Sequence, residues 1–84
     1  MKTKDFKGTV LLGIEADTLE EAQDLAADKA FLKSLIESDE ISVTEIKSTG
    51  VEETDPGFYD INCELSGKVK ENVNLEERGF VIEK

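Results

Sequence analysis

The feature that most constrains the fold is a long alternation of apolar and polar residues in the second half of the chain. From Tyr59 to Val69, every second residue is apolar or glycine, and the residues between them are polar or charged. A period of two places such side chains on one face of an extended strand, whereas a helix would scatter them around its circumference. The pattern therefore predicts a strand over residues 58–73, with one face buried, one face open to water and a bend at Gly67.

Two earlier segments also have strand patterns. Residues 6–16 alternate between apolar and polar positions with a period of two. Residues 41–46 are rich in β-branched side chains, which favour strands, and their alternation slips in a way that predicts a bulge or a sheet edge. We expect residues 41–48 to pair with residues 58–73 as a hairpin.

The remaining segments of the second half of the chain are predicted to be a loop, a helical turn and a short strand. Residues 49–57 end in Asp55-Pro56-Gly57, a strong turn signal, and contain a further glycine and a pair of glutamates, so we expect a loop there. Residues 75–78 predict one helical turn. Gly79 then precedes a short final strand over residues 80–82.

One helix is predicted between the first two strands, ending near Glu37. Asp17 or Thr18 supplies the N-cap, because either side chain can accept a hydrogen bond from the first helical turn. Phe31 and Leu35 lie off the apolar stripe, which indicates a wide apolar face or a distorted last turn. The stripe itself consists of Ala22, Leu25, Ala26, Leu32 and Ile36.

These elements predict an α+β fold with the order β-α-β-β-(β). A chain of 84 residues is short enough to form a single domain over residues 1–84. We expect one helix packed on a mostly antiparallel sheet of three to four strands. The helix stripe should cover the inward-facing residues of the long strand, namely Tyr59, Ile61, Cys63, Leu65 and Val69.

The residue types present argue against an enzyme. The chain has no histidine, so the one thiol, Cys63, has no imidazole to activate it, and a zinc site of cysteine and histidine ligands is excluded. Cys63 lies on the inward face of the long strand and is predicted to be a buried apolar residue. No glycine-rich turn precedes the helix, which argues against a nucleotide site. We therefore predict no catalytic residues, no cofactor and no bound metal.

The chain is rich in carboxylate oxygens, which are ligands of calcium. Glu52, Glu53, Asp55 and Asp60 lie close together in sequence, but they lack the spacing of a calcium-binding loop. We interpret them as a solvated acidic segment.

The expected compartment is the cytoplasm. A single cysteine cannot form an internal disulfide, which is typical of a reducing environment. The N-terminal lysines are not followed by the apolar core of a signal peptide. The longest apolar run, residues 10–12, is far shorter than the roughly 20 residues that span a bilayer.

The charge distribution is uneven and bears on the partner. The chain has 20 acidic and 10 basic residues and a net charge of −10. Between Glu15 and Glu64 there are 15 acidic residues and only three lysines. Direct binding to nucleic acid or to an anionic membrane needs a basic surface, so neither is expected. A protein partner with a basic surface fits the charge better.

Three functional hypotheses follow. The first is a non-catalytic protein that acts by protein–protein interaction, such as a bacterial or phage accessory or regulatory protein. The second is an acidic nucleic-acid mimic that inhibits a host nuclease or another DNA- or RNA-binding protein, of the anti-restriction or anti-CRISPR type. The third is a small ligand-binding or enzyme domain formed at the interface of a homo-oligomer.

The candidate binding residues for the first two hypotheses are acidic. Residues 14–22, a strand that runs into a glutamate-rich helix, resemble a general pattern of small bacterial and phage proteins, and the resemblance implies no functional residue. The predicted partner-binding surface combines helix and loop carboxylates, namely Glu20, Glu21, Asp24, Asp28, Glu52, Glu53 and Asp55.

Overall fold

The computed structural model describes residues 2–83 as a four-stranded antiparallel sheet with two helices packed on it. The elements are β1 (Thr3–Glu15), α1 (Leu19–Ala27), α2 (Lys29–Ile36), β2 (Ile41–Asp55), β3 (Phe58–Lys70), a 3-10 turn (Glu76–Arg78) and β4 (Val81–Ile82). The strand order in the sheet is β2-β3-β1-β4. The predicted α+β class and the predicted order of elements are confirmed, including the helical turn and the short last strand.

The long alternating strand is confirmed as β3, which lies between β1 and β2 and ends at Lys70, three residues before its predicted end. It pairs with β1 without interruption from Thr3 opposite Lys70 to Glu15 opposite Phe58. Its odd-numbered residues from 59 to 69 are buried, as the alternation predicts. A Cβ atom at Gly67 would overlap the carbonyl oxygen of Ser42, so glycine is required there by the close approach of β2.

The single predicted helix is interrupted at Asp28. This residue has φ −89° and ψ 97°, which is extended backbone, and it ends α1 and begins α2. Its Oδ1 atom accepts a hydrogen bond from the Phe31 backbone N–H at 3.1 Å. An aspartate side chain competes for backbone donors in this way and favours a cap over a helix interior. The break turns Leu32 into the core and leaves Leu35 45% exposed, which explains the irregular stripe.

The N-cap of α1 is Thr18, one of the two predicted candidates. Its side-chain oxygen accepts a hydrogen bond from the backbone N–H of Glu21 at 3.1 Å. Glu20 and Glu21 lie in the first turn, where their negative charges interact favourably with the positive end of the helix dipole.

The predicted loop over residues 49–57 is wrong for most of its length. β2 continues to Asp55, and only Pro56 and Gly57 form the turn to β3. Gly57 has φ 85°, so this position after a proline matches a type II turn, which requires a positive φ there. The strand was hidden in the sequence because its register shifts three times, and each shift breaks the alternation of period two.

Each register shift of β2 adds one threonine, at positions 44, 49 and 54. A bulge disrupts the regular ladder of backbone hydrogen bonds and leaves the extra residue unpaired. The hydroxyl of each extra threonine donates to a carbonyl oxygen of β3 beside the bulge. The oxygen–oxygen distances are 3.0 Å from Thr44 to Ser66, 3.1 Å from Thr49 to Asn62 and 3.3 Å from Thr54 to Phe58. Each of the three bulges therefore contains a hydrogen bond from a threonine hydroxyl to β3. Together the bulges make this edge strand irregular.

The core lies between the sheet and the two helices. Leu32, Ile61, Cys63 and Val69 are the largest fully buried side chains, and the predicted stripe is confirmed except that Leu25 is only partly buried. The segment after β3 covers the far end of the sheet. There the Phe80 ring meets the Phe6 ring edge to face, with their centres 6.2 Å apart.

Leu32 is expected to be essential for stability. Leu32→Ala should lower the free energy of unfolding by about 2–5 kcal/mol, because it removes a fully buried side chain and leaves a cavity. Leu35→Ala, on the exposed side of the same helix, is the matched control and should cost about 0.5 kcal/mol or less. Urea unfolding of both variants, followed by circular dichroism, measures the difference. Equal losses of unfolding free energy would mean that α2 does not turn Leu32 towards the core and Leu35 towards solvent.

The bulge hydroxyls are expected to contribute measurably. Thr49→Val keeps the shape and strand preference of the side chain but removes the donor to Asn62, and should cost about 0.5–1.5 kcal/mol of unfolding free energy. Thr9→Val is the control, since the Thr9 hydroxyl bonds to nothing within residues 2–83. If urea unfolding shows the same stability change for both variants, the hydroxyl does not hold the bulge in place.

Candidate functional site

The candidate site is the end of the molecule at the β2–β3 turn, which we call the acidic end. Glu15, at the end of β1, lies opposite Phe58 at the start of β3. The backbone N–H of Ala16 donates to the carbonyl oxygen of Gly57 at 3.1 Å, so β1 ends beside the turn, and α1 begins a few residues later. The carboxylates gathered there are Glu15, Asp17, Glu20, Glu21, Glu52, Glu53, Asp55 and Asp60.

Basic residues are absent from the two segments that build this end. Residues 8–28 contain six acidic residues and residues 48–67 contain five, and neither segment contains a lysine or an arginine. The ion pairs among the described residues lie from the middle of the sheet to its opposite end. They join Lys7 to Glu83, Lys47 to Glu64, Lys68 to Asp5 and Arg78 to Glu40. The carboxylates of the acidic end thus have no basic partner within residues 2–83.

The two ends are far apart because the molecule is elongated. Its principal dimensions are 42 × 21 × 20 Å. A strand of 13 residues such as β1 is about 43 Å long, so the strands run along the long axis. Charge of one sign is therefore concentrated at one end of that axis.

On the face of the sheet away from the helices, carboxylates surround an exposed aromatic ring. Phe58 is 49% exposed and lies in register between Glu15 on β1 and Asp55 on β2. In the next row, Asp60 lies directly opposite Glu52. Directly opposed residues have Cβ atoms about 5 Å apart, so these like charges repel one another. A shallow depression of about 380 Å³ lies here, and its lining includes Gly13, Glu15, Asp55, Phe58 and Asp60.

On the helix side of the acidic end, a strand carboxylate and a helix carboxylate act on the same tyrosine. The Tyr59 hydroxyl donates to Oε2 of Glu53 at 3.3 Å, and the Tyr59 side chain is buried. Burial raises the pKa of Tyr59 above its ordinary value, and the charges of Glu53 and then Glu21 raise it further. The structure therefore brings the predicted helix acid Glu21 and the predicted loop acid Glu53 to one place.

The other predicted site residues are distributed differently from the expectation. Glu52, Glu53 and Asp55 lie in β2 and not in a loop, because the threonine bulges extend the strand to Asp55. Asp24 is exposed on α1, farther from the turn. Asp28 lies in the break between the helices, where its carboxylate already serves as the N-cap of α2.

Sequence reasoning did not include Glu15 and Asp60 in the site. Both join it only through pairing across strands, with Asp60 opposite Glu52 and Glu15 opposite Phe58. The turn at Pro56-Gly57 was a partial signal, because a two-residue turn alone would place Asp60 opposite Glu53, and the bulge at Thr54 shifts its partner to Glu52.

Metal ligands and a reactive thiol are the features that would support metal binding or catalysis. Within residues 2–83, no three cysteine or acidic side chains are close enough to hold a metal ion. Cys63 is buried as predicted, and burial raises the pKa of its thiol, which keeps it protonated and unreactive.

A second depression, of about 630 Å³, lies near the middle of the sheet. It is lined by lysines 7, 29, 33 and 47 and by three glutamates, so its charges are mixed.

The comparisons with known proteins supply no relative. The chain matches no family model, and it has no significant match among curated proteins or among solved structures. Among the described residues, no helix has the length and apolar character needed to cross a membrane.

Tyr59 reports on the electrostatics of the acidic end. Glu53→Gln should lower the pKa of Tyr59 towards its ordinary value, because the substitution removes the nearest negative charge while burial remains. Glu52→Gln, on the other face of the sheet, is the control and should change this pKa much less. The chain has one tyrosine and no tryptophan, so the phenolate absorbance in an alkaline titration measures the pKa directly. An unchanged pKa in Glu53→Gln would contradict the proximity of the two side chains.

The raised pKa also predicts how stability depends on pH. The folded state favours the protonated phenol, so its contribution to stability is complete below pH about 10, the ordinary pKa of tyrosine. The contribution is lost as pH rises from there through the higher pKa of the folded state. Urea unfolding at a series of alkaline pH values should show this loss, and Tyr59→Phe should reduce it.

Proposed function

We propose that this protein is a non-catalytic binding protein whose acidic end docks on the basic surface of a protein partner. One observation carries the proposal. The two segments that meet at this end contain no basic residue, and none of the eight carboxylates of the acidic end takes part in an ion pair within residues 2–83. A charged surface that served only to keep the protein in solution would be expected to mix both signs.

A basic partner would gain from this arrangement in two ways. The concentrated charge attracts the partner at long range and speeds association, and this effect weakens as salt rises. At short range, partner cations relieve the repulsion between opposed carboxylates such as Glu52 and Asp60. Phe58, exposed at the centre of its row, offers the apolar contact that binding interfaces usually bury.

The nucleic-acid mimic is a narrower form of the same proposal. Rows of carboxylates on adjacent strands can occupy a channel that normally holds phosphates. This form requires that the partner bind DNA or RNA and that nucleic acid compete with this protein. A cytoplasmic role as a bacterial or phage accessory protein is compatible with either form.

The test compares two triple variants that change the net charge equally. The acidic-end variant combines Glu15→Lys, Glu52→Lys and Asp60→Lys, whose side chains lie on the outer face of the sheet. The control variant combines Glu45→Lys, Glu71→Lys and Glu77→Lys, which are exposed and distant from the turn. Asp28 is left intact because it caps α2. Circular dichroism first establishes that both variants are folded.

Immobilised native protein and the two variants are then used to capture partners from a bacterial lysate at low and high salt. We expect a basic protein that the native chain and the control variant retain, that the acidic-end variant loses, and that high salt releases. Added DNA or RNA should displace it if the mimic form is correct. Equal retention by all three proteins, or retention that ignores salt, would contradict a role for the acidic end.

A further inference from the structure

We propose that the open edge of β1 at residues 11–15 accepts an extended lysine- or arginine-rich segment of the partner as an added β-strand. This inference deepens the proposed function and rests on it. It concerns how the partner is held, by main-chain pairing beside the acidic end, whereas charge alone would only bring the partner close.

The backbone hydrogen bonds show which groups of β1 are free. The Ala16 N–H donates to Gly57 of the turn, and the register then assigns the even-numbered residues of β1 to bonds with β3. The backbone N–H and C=O groups of the odd-numbered residues point to the opposite edge of β1. There the Lys7 carbonyl oxygen accepts a hydrogen bond from the Glu83 N–H at 2.8 Å. β4 pairs only with Gly8 and Thr9. Beyond it, the N–H and C=O groups of Leu11, Gly13 and Glu15 have no backbone partner within residues 2–83.

This part of the edge lacks the usual protection against strand addition. Natural proteins block open edges with lysine, proline, bulges or covering segments. The other edge of the sheet, β2, carries three bulges, and its first residues are covered by Glu37, whose carboxylate accepts from the Val43 N–H at 3.1 Å. In contrast, β1 has a continuous register and no lysine or proline over residues 10–15.

The charge beside the open edge selects a basic occupant. An added strand would place its outward side chains next to Leu11, Gly13 and Glu15. Gly13 has no side chain to block the way to Asp60 on the next strand, and a Cβ atom there would meet nothing nearer than the Asp60 carboxylate, at 3.9 Å. Packing within the chain therefore does not require this glycine. A lysine of the added strand can reach both Glu15 and Asp60 through this gap.

A second copy of the chain fits the edge poorly. Pairing of β1 with β1 of another molecule would bring two acidic ends together, each without a basic residue over positions 8–28. Each molecule carries a net charge of −10, so this contact is opposed by repulsion that a basic segment does not experience.

Hydrogen exchange measured by NMR tests the proposal on the intact protein. The probe is an octapeptide of alternating lysine and valine with blocked termini, and the control peptide has glutamate in place of lysine. In the free protein we expect the amides of Leu11 and Gly13 to exchange fast, while those of Val10 and Leu12 are protected by β3. The lysine peptide should slow the exchange of Leu11 and Gly13 by about tenfold or more, and the glutamate peptide should not.

A matched pair of variants isolates the main-chain contact. Gly13→Pro removes an N–H that faces the open edge and leaves the bonds to β3 intact, which a strand edge tolerates. Gly13→Ala keeps that N–H and adds a Cβ in open space. We expect the proline variant to bind the lysine peptide about tenfold more weakly than native protein, and the alanine variant to bind it about equally. If the proline variant does not fold, the exchange measurement decides alone.

The outcomes separate this inference from the proposed function. Peptide binding without slower exchange at Leu11 and Gly13 overturns strand addition, and so does an absence of peptide binding at low salt. Another outcome is that the lysine peptide still slows the exchange of Leu11 and Gly13 in the variant that combines Glu15→Lys, Glu52→Lys and Asp60→Lys. That result would support strand addition at the edge of β1, but it would contradict the acidic end as the surface that attracts the partner. Protection of both amides without peptide, together with a doubled mass in light scattering, would assign the edge to a second copy and overturn the basic occupant.

Discussion

The uninterrupted pairing of β1 with β3 is the constraint on which the rest of the structure depends. It joins 13 residues of each strand in one register, so every inward side chain of one strand faces an inward side chain of the other. The same register brings the end of β1 beside the β2–β3 turn and so determines where α1 begins. A shift of one residue would expose the core face of β3 and separate Glu15 from Phe58.

Much of the fold could be predicted because local patterns and tertiary packing agree for β1, β3 and the start of α1. The patterns failed where a side chain changes the backbone. Asp28 divides the helix by capping its second half, and a period of 3.6 residues drawn through the break gave Phe31 and Leu35 no clear position. In β2, three inserted threonines disrupt the alternation, and a strand with such interruptions looks like a loop.

The candidate site could be predicted less completely than the fold. Sequence alone identified the acidic middle of the chain and the helix carboxylates Glu20 and Glu21. It could not show that Glu21 and Glu53 act on the same Tyr59 hydroxyl, because that depends on how α1 packs on the sheet. It also missed Asp60 and Glu15, which lie among apolar strand residues in sequence. The uneven charge is visible in the sequence, but its concentration at one end of the molecule appears only when the register of the strands is known.

The threonine bulges of β2 give the hairpin a repeating unit. From one bulge to the next, β2 uses five residues, Thr44–Ser48 and then Thr49–Glu53, where β3 uses four. Four is an even number, so each unit returns the side chains of β3 to the same faces of the sheet. A hairpin with this construction can lengthen or shorten by whole units, each moving the turn by about 13 Å, while the buried face stays buried. Insertion or deletion of a whole unit would thus change the distance between the β2–β3 turn at the acidic end and the helices, and the core would keep its residues.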